Sequence, residues 1–175
     1  MFSLHQFIGG IVWPSIKHPF YASAVVQYSY IFIAFLVWPV LAPLASAVAT
    51  TDHWWRRVWT FLFACGLALE GYLSMKLAGA DGIEASVVGR SISYVVKYPT
   101  RPPIQADYAY AAITALPLLF FGNKVVSVIG VGVLATFVYS FLEMREVWFS
   151  VWCMTAAVFG GLFFFSISND TPLRR

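Results

Sequence analysis

Charge is what this sequence has least of. Aspartate, glutamate, lysine and arginine make up 11% of its 175 residues, against about 25% in an ordinary soluble domain. The shortfall runs along almost the whole length. No polar segment is long enough to fold separately, so residues 1–175 read as one domain. Cysteine is nearly absent too. Cys65 and Cys153 both lie inside apolar runs, which excludes a disulfide framework or a CxxC redox motif and leaves two small buried thiols. Three histidines, His5, His18 and His53, are too few and too scattered for a metal shell. No metal site is expected, and membrane lipid hydrolases built on several His and Asp ligands are disfavoured. The eleven basic residues leave a net charge of only +3 and form no nucleic-acid patch. A charged start, an apolar run and a small-residue cleavage site do not occur in that order, so no cleavable signal peptide is expected.

What is present is apolar: 60% hydrophobic residues, 18% aromatic. A helical crossing needs roughly 20 such residues. Residues 24–50, 59–78, 125–142 and 147–167 meet that length. Residues 108–121 are short unless Ala106 and Asp107 extend them, and residues 2–13 (FSLHQFIGGIVW) are too short to cross alone. The expected fold is an all-α integral membrane bundle of about six transmembrane helices, five firm and the first one short. Between the third and fourth lies the one long polar segment, 79–105. Its centre, 87–98 (VVGRSISYVVKY), spaces its residues closer to two than to 3.6 and reads as a short strand or hairpin over the membrane face. Pro99, Pro102 and Pro103 end it.

Two features mark the second segment and its exit. Pro39 and Pro43 fall one turn apart, and each removes a backbone donor, so a kink or loosened turn is expected there. Trp38 marks that kink or a packing contact. The turn Trp54-Trp55-Arg56-Arg57 pairs tryptophans with arginines, an interface anchor at headgroup level. The short loops around Arg56/Arg57 and Lys124, with the tail at Arg174/Arg175, hold five basic residues against Lys17 and Arg145 opposite. That asymmetry places the C-terminus in the cytoplasm.

The run 59–78 (WTFLFACGLALEGYLSMKLA) carries one carboxylate, Glu70, about 20 Å beyond Arg56 and Arg57. An ionised carboxylate at that depth is expensive, so Glu70 is expected to be protonated, paired or facing a wet cavity. Gly66, Glu70 and Ser74 share one helix face at i, i+4, i+8. Two readings are open. Glu70 is a proton-handling or ligand-orienting acid, or a neutral carboxyl hydrogen-bonded across helices to fix packing. Lys76 lies on another face, so no cation of the same helix pairs with it. The expected partners are His5, Gln6, a tyrosine hydroxyl (Tyr28, Tyr30 or Tyr72) or a carbonyl opened by Pro39 and Pro43. The candidate intramembrane polar site is therefore Glu70, His5, Gln6, Ser74 and Tyr72.

Other motifs read as packing. Gly130-Val131-Gly132-Val133-Leu134-Ala135 imitates a dinucleotide fingerprint but sits in an apolar span with no strand before it and no acid suitably placed after it. Gly160-Gly161 suits close helix contact. Phe163 to Phe165, Trp148 and Trp152 suit lipid contact, with a pigment or quinone pocket as the sharper alternative.

Four blocks in order, LHQFIGGIVW, YSYIFIAFLVWPVLAPLA with its following arginine pair, ISYVVKYP and EVWFSVWCMTAA, resemble an uncharacterised family of bacterial multi-span membrane proteins, a domain of unknown function. VWPVLAP and SVWC are the most specific parts. The resemblance implies an all-helical membrane fold with an excursion at ISYVVKYP, and supplies no activity. It also implies that the family's first helix, before His5-Gln6, is missing or encoded upstream of this start, and that a glutamate and a histidine found in members are replaced by Gly9 and Ser91. The loss of those two polar groups favours a structural role. The expected function is a non-catalytic membrane protein, a subunit of a membrane complex or a binder of an apolar ligand. The alternative is a membrane enzyme or proton-coupled carrier using Glu70 with His5 or a tyrosine. Expected partners are the lipid bilayer and other membrane subunits or an apolar small molecule, not nucleic acid; the sequence names no cofactor. A bacterial inner membrane is the expected location.

Overall fold

The computed structural model describes residues 7–8, 10–12, 23–88, 91–144, 147, 150–154 and 158. Five α-helices and a β-hairpin make up its continuous parts. The first rod begins with α1 (Ser23–Phe32), widens into a π-turn at Ile33–Val37, and continues as α2 (Trp38–Ala49). The cause of the widening is Pro39, directly after it. A proline cannot donate to the ladder, and an i→i+5 turn takes up the mismatch without breaking the rod. The loosening expected near the two prolines therefore lies just before the first of them. Pro39 and Pro43 are both fully buried, so the gap they leave in the ladder faces protein.

Asp52 starts α3 (His53–Ala78) by accepting from the amides of Trp54 and Trp55 at 2.8 and 3.1 Å. Helix α3 returns antiparallel along α2, and Gly66 sets how closely. A Cβ at that position would overlap the Pro39 carbonyl oxygen. That carbonyl has lost its own i+4 donor, because the residue there is Pro43, and the bare backbone of Gly66 is what can approach it.

The polar excursion is a hairpin. Strand β1 (Ile83–Val88) pairs antiparallel with β2 (Ser91–Val96), with Ile83 opposite Val96 and Val88 opposite Ser91. The stretch 87–98 singled out from sequence contains β2 and only the end of β1. The rest of β1, Ile83 to Ser86, escaped notice because Glu84, Ala85 and Ser86 dilute its apolar alternation. Glu84 and Lys97 bridge at 3.0 Å on the open side, both exposed, where such a pair is worth little. Ile92 and Ser93, on opposite faces of β2, are both buried.

Helix α4 (Ile104–Leu119) follows Pro103 at once, four residues earlier than expected from its apolar run, and ends earlier too. Gly122 (φ +86°) makes the turn that follows. Asn123 then caps α5 (Lys124–Glu143) through the amides of Val125 and Val126. Gly130 lets α5 meet α4: a Cβ there would come within 2.7–2.8 Å of the Leu118–Leu119 peptide. The first of the fingerprint-like glycines is thus a helix contact. Three helical stretches, Val25–Ala49, α3 and α5, are long and apolar enough to cross a membrane. At 16 residues, α4 falls short of that length. The expected first and last spans, 2–13 and 147–167, lie largely outside the described residues, so three of the six expected spans correspond to described helices of crossing length.

Candidate functional site

Helix geometry brings Gly66, Glu70 and Ser74 to one face of α3, as their spacing requires. Ser74 Oγ donates to Glu70 Oε1 at 3.4 Å, a long bond between half-buried side chains. Tyr72 is not part of this group. Two residues on a helix do not face each other, and the Tyr72 ring instead lies 5.7 Å from the Lys76 ammonium. His5 and Gln6 fall outside the described residues.

The polar group that answers the proline gap is Tyr110. Its hydroxyl donates to the Ala34 carbonyl at 2.5 Å inside the core. Ala34 precedes Pro39 by five residues, so in a π-turn its natural donor would be the missing proline N–H. Helix α4 supplies a substitute. One sequence signal could have found it: Asp107, Tyr110 and Thr114 recur at i, i+3, i+7 on an otherwise apolar helix, which marks an inward polar stripe.

Around Tyr110 the aromatic side chains form a single assembly. Trp152 meets Tyr110 edge-on at 5.4 Å and Phe137 at 5.2 Å, and its indole N–H donates to the Val133 carbonyl at 2.9 Å. That bond fastens residues 150–154 to α5. Tyr94, on β2, stacks on Tyr30 of α1 with centroids 4.4 Å apart and planes 13° apart. The hairpin is held to the bundle by this stack. The Tyr94 hydroxyl is buried and has no hydrogen-bond partner among the described residues. Its burial, and secondarily the nearby Cys153, pushes its pKa well above the ordinary phenol value, keeping it neutral.

At the opposite end, Trp55 stacks on Trp59 at 5.2 Å and on Phe120 at 6.1 Å. The contact joins the start of α3 to the end of α4. Trp54 is 69% exposed, and Arg56 and Arg57 are exposed beside it. The anchor turn is therefore divided: Trp55, 38% exposed, stacks against its neighbours while Trp54 and the arginines face out.

Among the described residues no three His, Cys, Asp or Glu side chains gather as a metal site. An open groove of about 710 Å³ runs along α1 and is lined by Ile8, Val25, Tyr28, Ser29, Phe32, Ile33 and Leu77. Its surface is apolar apart from the Tyr28 and Ser29 hydroxyls.

Fold and site together define a helical protein with helices apolar enough for membrane crossing, covered at one end by a hairpin. Within that class the chain belongs to a family of unknown function, DUF6629, whose profile matches residues 1–174. No curated protein and no solved structure matches the chain.

Proposed function

We propose that this chain is a non-catalytic integral membrane protein that binds an apolar molecule from within the bilayer. The observation that supports this reading is the groove along α1, about 710 Å³ and apolar but for two hydroxyls. Binding sites for small molecules are mostly apolar concavities with a few polar groups that fix orientation, and Tyr28 and Ser29 suit that role. The Trp54–Arg57 turn faces the cytoplasm in this reading, on the side of Lys124. Purification in mild detergent followed by mass spectrometry of bound lipids, pigments and proteins tests it. One co-purifying apolar compound, lost when Ser29→Trp fills the groove, is the expected result. An empty groove in every preparation, or an occupant indifferent to Ser29→Trp, contradicts it.

A second reading, an enzyme or proton-coupled carrier, is favoured by the Glu70–Ser74 pair alone. Turnover or transport that disappears in Glu70→Gln while the fold survives would establish it. Recovery of a larger complex in the same purification would instead favour a subunit role.

A further inference from the structure

The start of α3 carries a second groove, of about 490 Å³, lined by His53, Arg56, Arg57, Thr60, Phe61 and Ala64. We propose that it binds an anionic phospholipid, with the phosphate held by Arg56 and Arg57 and an acyl chain laid along α3. The proposal rests on the membrane reading of the fold.

Charge complementarity carries it. Both guanidinium groups are exposed, and the ion pair present among the described residues, Lys97–Glu84, is elsewhere. Asp52, the acid nearest in sequence, is engaged in capping the helix through Trp54 and Trp55. The Thr60 hydroxyl is turned back onto the Arg56 carbonyl at 2.8 Å, and among the described residues no acid forms an ion pair with either arginine. Guanidinium groups match phosphate oxygens in a bidentate fork.

The groove is also two-part in the manner of a lipid. Below the arginines its lining changes to Phe61 and Ala64, and the same outward face of α3 continues through exposed Leu67, Ala68 and Met75. From Arg57 to Met75 the helix rises about 27 Å, enough for an extended acyl chain. Ala64 and Ala68 leave a shallow track for it between Phe61 and Leu67. A free phosphate would use the arginines and leave this track empty. Trp54, 69% exposed, stands at the headgroup level beside the arginines, where tryptophan is favoured.

The test uses the full chain reconstituted in vesicles of equal phosphatidylglycerol and phosphatidylcholine, then stripped stepwise and weighed by native mass spectrometry. Wild type should retain phosphatidylglycerol preferentially, by about fivefold for each arginine engaged. Arg56→Gln/Arg57→Gln should retain the two lipids equally. Ala64→Trp, which blocks the track and leaves both charges, should lose most of the preference. Lys124→Gln removes a basic residue outside the groove and should leave the preference intact. Equal retention by wild type, or a preference that survives the double variant, overturns the proposal. A preference lost equally in Lys124→Gln also overturns it, because general surface charge then suffices. Displacement of the lipid by inorganic phosphate at matched ionic strength, with Ala64→Trp unaffected, would reassign the groove to a free anion. Recovery of the chain in the aqueous fraction overturns the membrane reading itself, whereas membrane recovery without lipid preference overturns this proposal alone.

Discussion

Tyr110 reaches across 76 residues of chain to donate a hydrogen bond from its hydroxyl to the carbonyl of Ala34. The bond exists because a proline stands where the backbone donor should be, and it ties α4 to the widened turn between α1 and α2. Its removal should be costly, since the carbonyl is buried and the next donor is missing.

Tyr110→Phe keeps the ring contacts with Trp152 and Phe35 and removes only the donor. We expect a loss of about 1–3 kcal/mol, the cost of leaving one buried acceptor unsatisfied. Thermal or denaturant unfolding in detergent measures it. A change below a few tenths of a kcal/mol would mean that water reaches the turn.

Gly66 and Gly71 offer a matched comparison on one helix. Gly66→Ala puts a methyl group into the Pro39 carbonyl and should separate α2 from α3, at about 1–3 kcal/mol. Gly71 has nothing within 4 Å of where its Cβ would be. Gly71→Ala should be neutral or stabilising by up to about 1 kcal/mol from helix propensity. Equal effects at both positions would remove the close approach from the account.

The hairpin should undock at alkaline pH. Burial raises the Tyr94 hydroxyl above its ordinary pKa of 10.0, and Cys153 adds to the effect. Tyr98 is raised too, by burial first and Asp107 second, with Arg101 opposing. A pKa raised in the folded state means that the proton is held more tightly there. The contribution is therefore complete below pH 10 and is lost as the pH climbs toward the folded values. Hydrogen exchange of the β1–β2 amides should accelerate above pH 10 before the helices respond, and Tyr94→Phe should move that onset upward. An onset unmoved in Tyr94→Phe would assign it to other groups.

Glu70→Gln preserves shape and the bond from Ser74, and should leave stability nearly unchanged. Glu70→Leu leaves Ser74 without its partner and should cost about 1–3 kcal/mol if the pair is secluded. Unfolding measurements on both variants decide it. A stabilising Glu70→Leu would show that the carboxylate serves something other than the fold.

The long helices and their stops were legible in the sequence because length and apolar content alone define them. Pro39 and Pro43 announced a disturbed turn for a chemical reason that holds in any fold. What could not be read was the partner. The opened carbonyl needed a donor, and Glu70, conspicuous in its apolar run, attracted the expectation of a cross-helix bond. That carbonyl's donor is Tyr110, 76 residues further on, while among the described residues, which leave out His5 and Gln6, the hydrogen bond that Glu70 accepts comes from Ser74 on its own helix. A tyrosine carries no charge to advertise its depth, so its role emerges only when α4 is placed. The Tyr30–Tyr94 stack was hidden for the same reason: strand pattern locates β2 but not the helix it lies on.

The order in which these contacts become possible follows from their positions along the chain. Tyr30 and Ala34 emerge early from the ribosome, yet Tyr94, Tyr110 and Trp152, which complete their surroundings, come much later. At about 5–20 residues per second of synthesis, the 76 residues between Ala34 and Tyr110 take roughly 4–15 s. Throughout that interval α1 and its widened turn are born but unfinished, with an open carbonyl and an uncovered aromatic face. Truncation before Tyr110 should leave this first rod recognisable to quality-control proteases, although every residue of the rod itself has been made.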